Sequence, residues 1–252
     1  MCILFLALNK HPNYPVIICA NRDEFHQRPT KSMHWWPKEK ILAGQDLQAG
    51  GTWLGLTKQG RFAALTNYRK LPSTSQNQTK SRGHIVTQAL QQNNQELITS
   101  LSKTNHDYQP FNLIYGDLTN LYCYQSMTNS HQRLTAGVHS LSNGALDDIW
   151  PKMAQGQQAL SQTIEQSKTL AVESLFSIMS NANQAHPDTL PKTGVPLDWE
   201  QKLSAIFISS PEYGTRNTSI ITLDMNGKTE VTERNYHISG QQSQQQHFEI
   251  SN

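Results

Sequence analysis

The chain has 252 residues, of which 36% are hydrophobic, and its 21 basic and 19 acidic residues give a net charge of +2. This length and composition are enough for one large core or two modest ones, and they exclude a chain that is disordered throughout. Because no block of basic residues is present, the sequence gives no reason to expect a nucleic-acid partner.

The first half of the chain is rich in strand signals. Two apolar runs, CILFLAL (2–8) and YPVIICA (14–20), are joined by a short turn segment that contains Pro12. This pattern predicts two neighbouring antiparallel strands that are covered on both faces. Residues 52–68 then alternate apolar and polar side chains on either side of Lys58-Gln59-Gly60, which predicts a hairpin closed by a turn that contains glycine.

Helical and strand-like patterns alternate in the rest of the chain. Apolar residues recur at helical spacing from Ser81 to about Leu101, which predicts two helices with Ser81 as a candidate cap. Residues 111–125 read as a second hairpin, and residues 150–166 and 170–180 return to helical periodicity. The last predicted elements are the strands AIFISS (205–210), TSIITLD (218–224) and KTEVTERN (228–235).

The order of these elements is strands, helices, strands, helices, strands. This order is not the regular alternation of a βαβ protein, and it indicates the α+β class, with stacked sheets flanked by helices. The final residues are polar, rich in glutamine and without a period, so we expect a single domain at 1–238 followed by a solvated tail at 239–252.

The three cysteines, Cys2, Cys19 and Cys123, lack CxxC spacing and cannot all pair with one another. This excludes a disulfide framework and a structural zinc site, and it favours a cytoplasmic protein; the scattered histidines add no metal site. The apolar run at 2–8 is far shorter than the ~20 residues of a membrane helix, and no basic segment precedes it. We therefore expect neither an integral membrane segment nor a signal peptide.

Cys2 is the residue whose chemistry would change most on processing. A small residue after Met1 permits removal of the initiator, and the freed α-amine, with a pKa of roughly 7.7–8.0, can accept the thiol proton. If the first two strands are antiparallel neighbours, Asp23 can hold this amine while Arg22 biases the thiol toward thiolate. The alternative is that Cys2 is a small buried hydrophobe and that residues 22–24 form ion pairs at a strand end.

Ordered motifs extend over the chain to about Tyr236. They are MCI (1–3), NRDEF (21–25), RPT (28–30), AGGTWLGLT (49–57), FAALTNYR (62–69), SRG (81–83), FNLIYGD (111–117), LSNGALD (141–147), WPK (150–152), LPKTGV (190–195) and YGTRNTS (213–219). With this set the chain resembles the NRDE family, which is the transport and Golgi organisation protein 2 family.

The resemblance implies an N-terminal-nucleophile hydrolase fold, a four-layer αββα sandwich of two mainly antiparallel sheets flanked by helices. In the similar choloylglycine hydrolase and penicillin acylase group, a processed N-terminal cysteine is assisted by an arginine, an aspartate, two asparagines and a later arginine. When these roles are assigned to the matching motifs of this sequence, the implied catalytic residues are Cys2, Arg22, Asp23, Asn67, Asn143 and Arg216.

This carry-over departs from the hydrolase pattern at one point. The arginine and aspartate are adjacent here, whereas the hydrolases separate them. Without the resemblance, Asn67 and Asn143 read as ordinary turn residues and Arg216 reads as a loop cation.

The predicted function is a cysteine N-terminal-nucleophile amidohydrolase that acts on a non-peptide C–N bond. It would cleave, or transfer the acyl group of, a linear amide in a small molecule and would require no cofactor. The alternative, also implied by the resemblance, is a non-catalytic carrier that uses the same pocket for haem cargo or for an acyl-CoA or lipid. The expected partner is therefore a small-molecule amide or haem.

Overall fold

A computed structural model of the chain describes residues 2–69, 80–166 and 168–251. The described strands are β1 (Cys2–Leu8), β2 (Val16–Phe25), β3 (Thr30–Trp36), β4 (Ile41–Asp46), β5 (Leu54–Thr57), β6 (Arg61–Asn67), β7 (Phe111–Asp117), β8 (Asn120–Gln125), β9 (Ser130–Arg133), β10 (Gly137–Leu141), β11 (Tyr213–Leu223), β12 (Thr229–Tyr236) and β13 (Gln242–Ile250). The described α-helices are α1 (Gly83–Gln91), α2 (Asn94–Thr104), α3 (Pro151–Gln166), α4 (Val172–Met179) and α5 (Leu197–Lys202).

The chain divides into two compact units, Met1–Gln27 with Thr135–Ser251, and Arg28–Leu134. The first unit contains a six-stranded antiparallel sheet in the order β10-β1-β2-β11-β12-β13. Alternate residues of its central strands, such as Phe5 and Cys19, pack against Met153 of α3 and Phe176 of α4 in one apolar core. Burial of this face fixes the register of β1 and β2.

The second unit contains a seven-stranded antiparallel sheet in which the strands follow chain order from β3 to β9. Helices α1 and α2 cover one face of this sheet, where Ile85 and Leu101 join a core with Ala63 and Leu113. The side chain of Asn93 accepts a hydrogen bond from the backbone N–H of Glu96 at 2.9 Å and caps α2.

The α+β class, the antiparallel pairing of the first two strands and both predicted hairpins are confirmed, since β1 pairs with β2, β5 with β6 and β7 with β8. Ser81 is not the cap of α1, because Arg82 holds that position and makes no side-chain capping bond. Strands β3, β4, β9 and β10 and helix α5 were not predicted from the pattern.

The predicted strand at residues 205–210 is wrong. Although Ile206 and Ile208 are buried, the backbone of this segment makes irregular bonds: the N–H of Phe207 donates to the carbonyl of Asn181 at 2.8 Å. The N–H of Ile208 donates to the hydroxyl of Thr215 at 2.9 Å. The run is apolar because its side chains are buried, and its backbone does not form the regular hydrogen bonds of a strand.

The predicted tail also differs from the structure, because Gln242–Ile250 form strand β13 at the edge of the first sheet. An edge strand needs only one bonded neighbour and tolerates polar side chains on both faces, so it lacks the apolar alternation that marks an inner strand. Ile250 is its one buried residue.

The longest described helix, α3, has 16 residues and carries polar side chains along its length. None of the helices in the described ranges combines the length and apolar character needed to cross a membrane.

Candidate active site

The predicted residues of the first unit meet at one end of its sheet. In the register of β1, β2 and β11, Cys2 lies opposite Arg22, and Arg22 lies opposite Asn217. On the other side of β1, the hydroxyl of Ser142 donates to the Cys2 carbonyl at 3.1 Å and to Oδ1 of Asn143 at 3.2 Å. The adjacency of Cys2 and the Arg22-Asp23 pair follows from the predicted antiparallel pairing of the first two strands.

Cys2 is nearly buried, with 7% of its surface exposed, and the backbone N–H of Asp23 donates a hydrogen bond to its sulfur. Burial raises the pKa of the Cys2 thiol to about 11, and the charge of Asp23 adds to this effect while Arg22 opposes it. Arg22 therefore biases the thiol toward thiolate, as expected, but burial outweighs this effect. At pH 7 the thiol is neutral, and its use as a nucleophile requires a base.

Asp23 lies near the C-terminal end of β2 and is buried, with 1% of its surface exposed. Its carboxylate accepts a hydrogen bond from the hydroxyl of Thr215 at 2.7 Å, and its carbonyl accepts one from the hydroxyl of Tyr213 at 2.9 Å. Burial raises the pKa of Asp23 to about 6, while the positive charges of the amino terminus, Lys152 and Arg22 act in the opposite direction. Asp23 is therefore ionised at pH 7 and titrates in a range where enzymes are assayed.

We expect Asp23→Asn to be more stable than the wild-type protein at pH 8, by about 1–3 kcal/mol. The folded state raises the pKa of this carboxyl from 3.8 to about 6, so it prefers the protonated form. The wild-type protein therefore gains stability as the pH falls through 6 toward 4, and the advantage of the neutral variant disappears there. Urea unfolding at pH 8 and at pH 4 measures both differences.

Asp46→Asn is the matched control in the second unit. Partial burial raises the pKa of Asp46, but the hydrogen bonds from Arg28 outweigh it and lower that pKa. Its replacement should therefore destabilise the protein at pH 8. Loss of stability in Asp23→Asn at pH 8 would contradict the assignment of Asp23 as a destabilising buried charge.

Arg216 lies at the bulge where the register of β11 against β2 shifts between Thr215 and Asn217. Its Nη1 donates to the carbonyl oxygens of Phe25 at 3.0 Å and His26 at 3.3 Å. Burial and the neighbouring Arg22 lower the pKa of Arg216. These contacts place its guanidinium at the end of β2, where it holds the backbone that follows the Arg22-Asp23 pair.

Asn67 belongs to the second unit, where it is the last residue of β6, half-buried and opposite Phe111 of β7. Asn143 lies in the first unit and is fully buried beside Ser142. The catalytic roles of both asparagines stay predictions.

Lys152 is a residue of this region that the site prediction missed. It lies in the first turn of α3 with 2% of its surface exposed, and its positive charge acts on Asp23. A lysine at the start of a polar helix normally faces solvent, so the pattern gave no sign of its burial. The only signal was its place in the WPK motif.

One group of side chains away from Cys2 has the spacing of a metal site. Glu230, His247 and Glu249 offer ligand atoms within 4.8 Å of one another. The ammonium of Lys228, however, bonds the carboxylates of Glu230 at 2.7 Å and Glu249 at 2.8 Å. A cation of the chain itself thus neutralises these carboxylates, and the group is best described as a surface ion-pair network.

Residues 1–238 match the family model described as Transport and Golgi organisation 2. The human Transport and Golgi organization protein 2 homolog is 34% identical, over 93% of this chain and 92% of the relative. The mouse homolog is 32% identical over the same shares, and the Drosophila melanogaster protein is 25% identical over 92% and 91%.

Two solved structures share the fold at low sequence identity. A conjugated bile acid hydrolase mutant from Clostridium perfringens has a TM-score of 0.55 at 9% identity, over 99% of this chain and 92% of that chain. The Caenorhabditis elegans ortholog of N-acylethanolamine-hydrolyzing acid amidase has a TM-score of 0.51 at 10% identity, over 87% and 92%. The prediction of an N-terminal-nucleophile hydrolase fold is confirmed by these neighbours.

Proposed function

The chain belongs to the Transport and Golgi organisation 2 family, and from the geometry around Cys2 we propose that it is an N-terminal-cysteine hydrolase. In this proposal, Cys2 becomes the first residue when Met1 is removed, and it attacks the carbonyl of a linear amide in a small molecule. The observation that carries the proposal is the pairing of Cys2 with Arg22, with the buried carboxylate of Asp23 next to both.

The freed α-amine supplies the base that the neutral thiol requires. An amine with a pKa of roughly 7.7–8.0 can take the proton of the Cys2 sulfur as the sulfur attacks the substrate carbonyl. Asp23, ionised above about pH 6, accepts a hydrogen bond from this amine and fixes its direction. Nucleophile, base and the group that orients the base then come from two adjacent strands.

The remaining steps follow from the same groups. The tetrahedral intermediate carries a negative oxygen that a hydrogen-bond donor must stabilise, and losing one such donor typically costs about 10²–10³ in rate. The protonated α-amine returns its proton to the leaving nitrogen as the C–N bond breaks, which leaves a thioester on Cys2. Water, deprotonated by the amine, hydrolyses the thioester to a carboxylic acid and restores the thiol; another nucleophile in place of water gives acyl transfer.

The names of the structural neighbours support the substrate class. One neighbour is called an N-acylethanolamine-hydrolyzing acid amidase and the other a conjugated bile acid hydrolase, so each of these two names describes a hydrolase of small molecules. Cys2, Cys19 and Cys123 are all free thiols, so we include in the proposal a reducing compartment such as the cytoplasm.

A thiol-reactive probe tests whether Cys2 is the available nucleophile. We expect a small haloacetamide to label Cys2 faster than Cys19 or Cys123, because 7% of Cys2 is exposed against 1% and 0% for the others. Peptide mass spectrometry after a timed reaction gives the three rates. In urea all three thiols should react at similar rates, and equal labelling of the native protein would contradict the proposal.

A carrier is the second candidate function. The names of the human and mouse relatives refer to transport, which is the observation that favours a carrier. A carrier for haem or an acyl-CoA would bind its cargo without forming a thioester on Cys2. Haem titration separates the two: a saturable Soret shift together with no acylation of Cys2 would favour the carrier.

A further inference from the structure

Lys152 is a buried cation in a position where its charge needs compensation. With 2% of its surface exposed, it belongs to the small class of lysines that lie inside a protein. Its Nζ donates to the carbonyl of Leu203, the residue that follows α5, at 3.0 Å. A neutral carbonyl does not balance an ammonium that has left water, so a buried carboxylate is expected nearby.

The path of the chain brings Lys152 to the end of the first sheet that contains Cys2. Strand β10 runs antiparallel to β1 and ends opposite Leu4, so the segment after it emerges beside Cys2 and leads to α3, which begins at Pro151. Gly156 of α3 lies directly on Phe5, since a Cβ on this glycine would be 1.9 Å from Cζ of that ring. This contact fixes the position of α3 along the length of β1.

Lys152 is one helical turn before Gly156, on the same face and about 6 Å closer to the start of the helix. Along β1, a similar distance of about 6.6 Å leads from Phe5 back to Ile3. Asn21 lies opposite Ile3, and Asp23 follows two residues later on the same face of the sheet. Lys152 and Asp23 thus lie on the face of the sheet that packs against the helices, at the end of the sheet that contains Cys2.

Hydrogen bonds to one segment support this placement. The amide of Asn21 donates to the carbonyl of Ile206 at 2.9 Å, while Lys152 donates to Leu203, three residues earlier. The same segment continues to Ile208, whose N–H donates to Thr215, the residue that donates to Asp23.

The titratable and charged groups that face Asp23 come from three described elements. They are the Cys2 thiol on β1, Arg22 on β2 and Lys152 on α3, and the positive charge of the amino terminus acts on Asp23 as well. Around Lys152, the packed helix α5 contributes a second buried acid, Glu200, which accepts a hydrogen bond from Thr193. Burial disfavours the charged form of Asp23, and Lys152 is the cation among these that the helix supplies.

We propose that Lys152 is a positioning residue that keeps Asp23 ionised, so that this carboxylate can hold the α-amine of Cys2 during acyl transfer. The inference rests on the proposed function, because the amine is free only after Met1 is removed. In this role Lys152 acts through Asp23 and takes no bond-making part in the reaction.

The titration of Asp23 tests this directly. In the processed protein, ¹³C NMR of labelled aspartate follows the Asp23 carboxyl, and Asp23→Asn identifies its signal. We expect the midpoint of the titration to rise by about one pH unit or more in Lys152→Met and in Lys152→Gln, because each removes a nearby cation. Lys152→Arg keeps the charge and should keep the midpoint within a few tenths of a unit.

Lys202→Met is the matched control, since it removes a cation from α5 that is exposed and pairs with Asp198 at 3.9 Å. It should leave the Asp23 midpoint unchanged. Two neutral replacements are used so that one poorly folded variant does not decide the result. An unchanged midpoint in the folded neutral variants, or an equal rise in Lys202→Met, would overturn the inference.

The pH profile of acyl transfer gives the second readout. The acidic limb of kcat/KM should move to higher pH in the two neutral variants and return in Lys152→Arg, which a loss of stability alone would not produce. If the Asp23 midpoint rises in the neutral variants but the wild-type protein acylates nothing, the proposed function fails while the electrostatic role stands. If the wild-type protein turns over substrate and the midpoint stays fixed, only the role of Lys152 fails.

Discussion

Cys2→Ala should abolish acyl transfer, with a fall in kcat of about 10⁴-fold or more on any substrate that the wild-type protein turns over. The variant removes the atom that forms the thioester, and no second nucleophile is part of the mechanism. The alanine keeps the β-carbon of this buried residue and removes only the sulfur, so we expect the fold to be preserved at a small cost in stability. Release of the acid from a panel of N-acyl amino acids, β-lactams and bile-salt-like amides measures the loss.

Cys19→Ala is the control for this variant. Cys19 lies on the neighbouring strand β2 and packs into the apolar core against the helices. Burial raises its pKa, so it stays a neutral thiol at every pH of the assay. Its replacement should leave kcat nearly unchanged, and a Cys2→Ala protein that retains wild-type turnover would show that the reaction uses another residue.

Blocking the amino terminus should lower turnover by about 10²–10⁴-fold while leaving Cys2 in place. A form of the protein with a cleavable peptide joined directly before Cys2 converts the α-amine to an amide, which cannot accept a proton. The thiol, with its pKa raised to about 11 by burial, is then left without its base. Turnover before and after removal of the peptide by a specific protease gives the ratio.

The matched control carries the same peptide before Cys2 in the Cys2→Ala background, where cleavage should restore nothing. It separates activation of the protein from activity of the added protease. Equal turnover of the blocked and the cleaved wild-type protein would mean that the α-amine is not the base.

The strands that place the site were predictable from local pattern. The apolar runs at 2–8 and 14–20 gave the first hairpin, and the antiparallel pairing of that hairpin brings Arg22 opposite Cys2. Residues 205–210 show the limit of this reasoning, because a buried apolar run resembles a strand even when its backbone bonds are irregular. Strand β13 shows the reverse case, since a polar edge strand lacks an apolar pattern.

The electrostatics of the site could not be predicted from sequence. The pairing of the first two strands predicted that Arg22 biases the thiol toward thiolate, but burial outweighs Arg22 and raises the thiol pKa. Lys152 is 129 positions from Asp23, and only the path of β10 and α3 brings the two near one end of the sheet. Asn67 and Arg216 entered the predicted site through the family resemblance and not through a spacing rule.

The proposed mechanism requires that Cys2, freed at the amino terminus, forms a thioester with its substrate. Intact and peptide mass spectrometry of the untagged protein, mixed with an activated acyl donor and quenched in acid, tests it most directly. We expect a protein without Met1 that gains one acyl group, located on the peptide that begins with Cys2 and removed by hydroxylamine. A protein that keeps Met1, or that carries the acyl group on another residue, would contradict the claim.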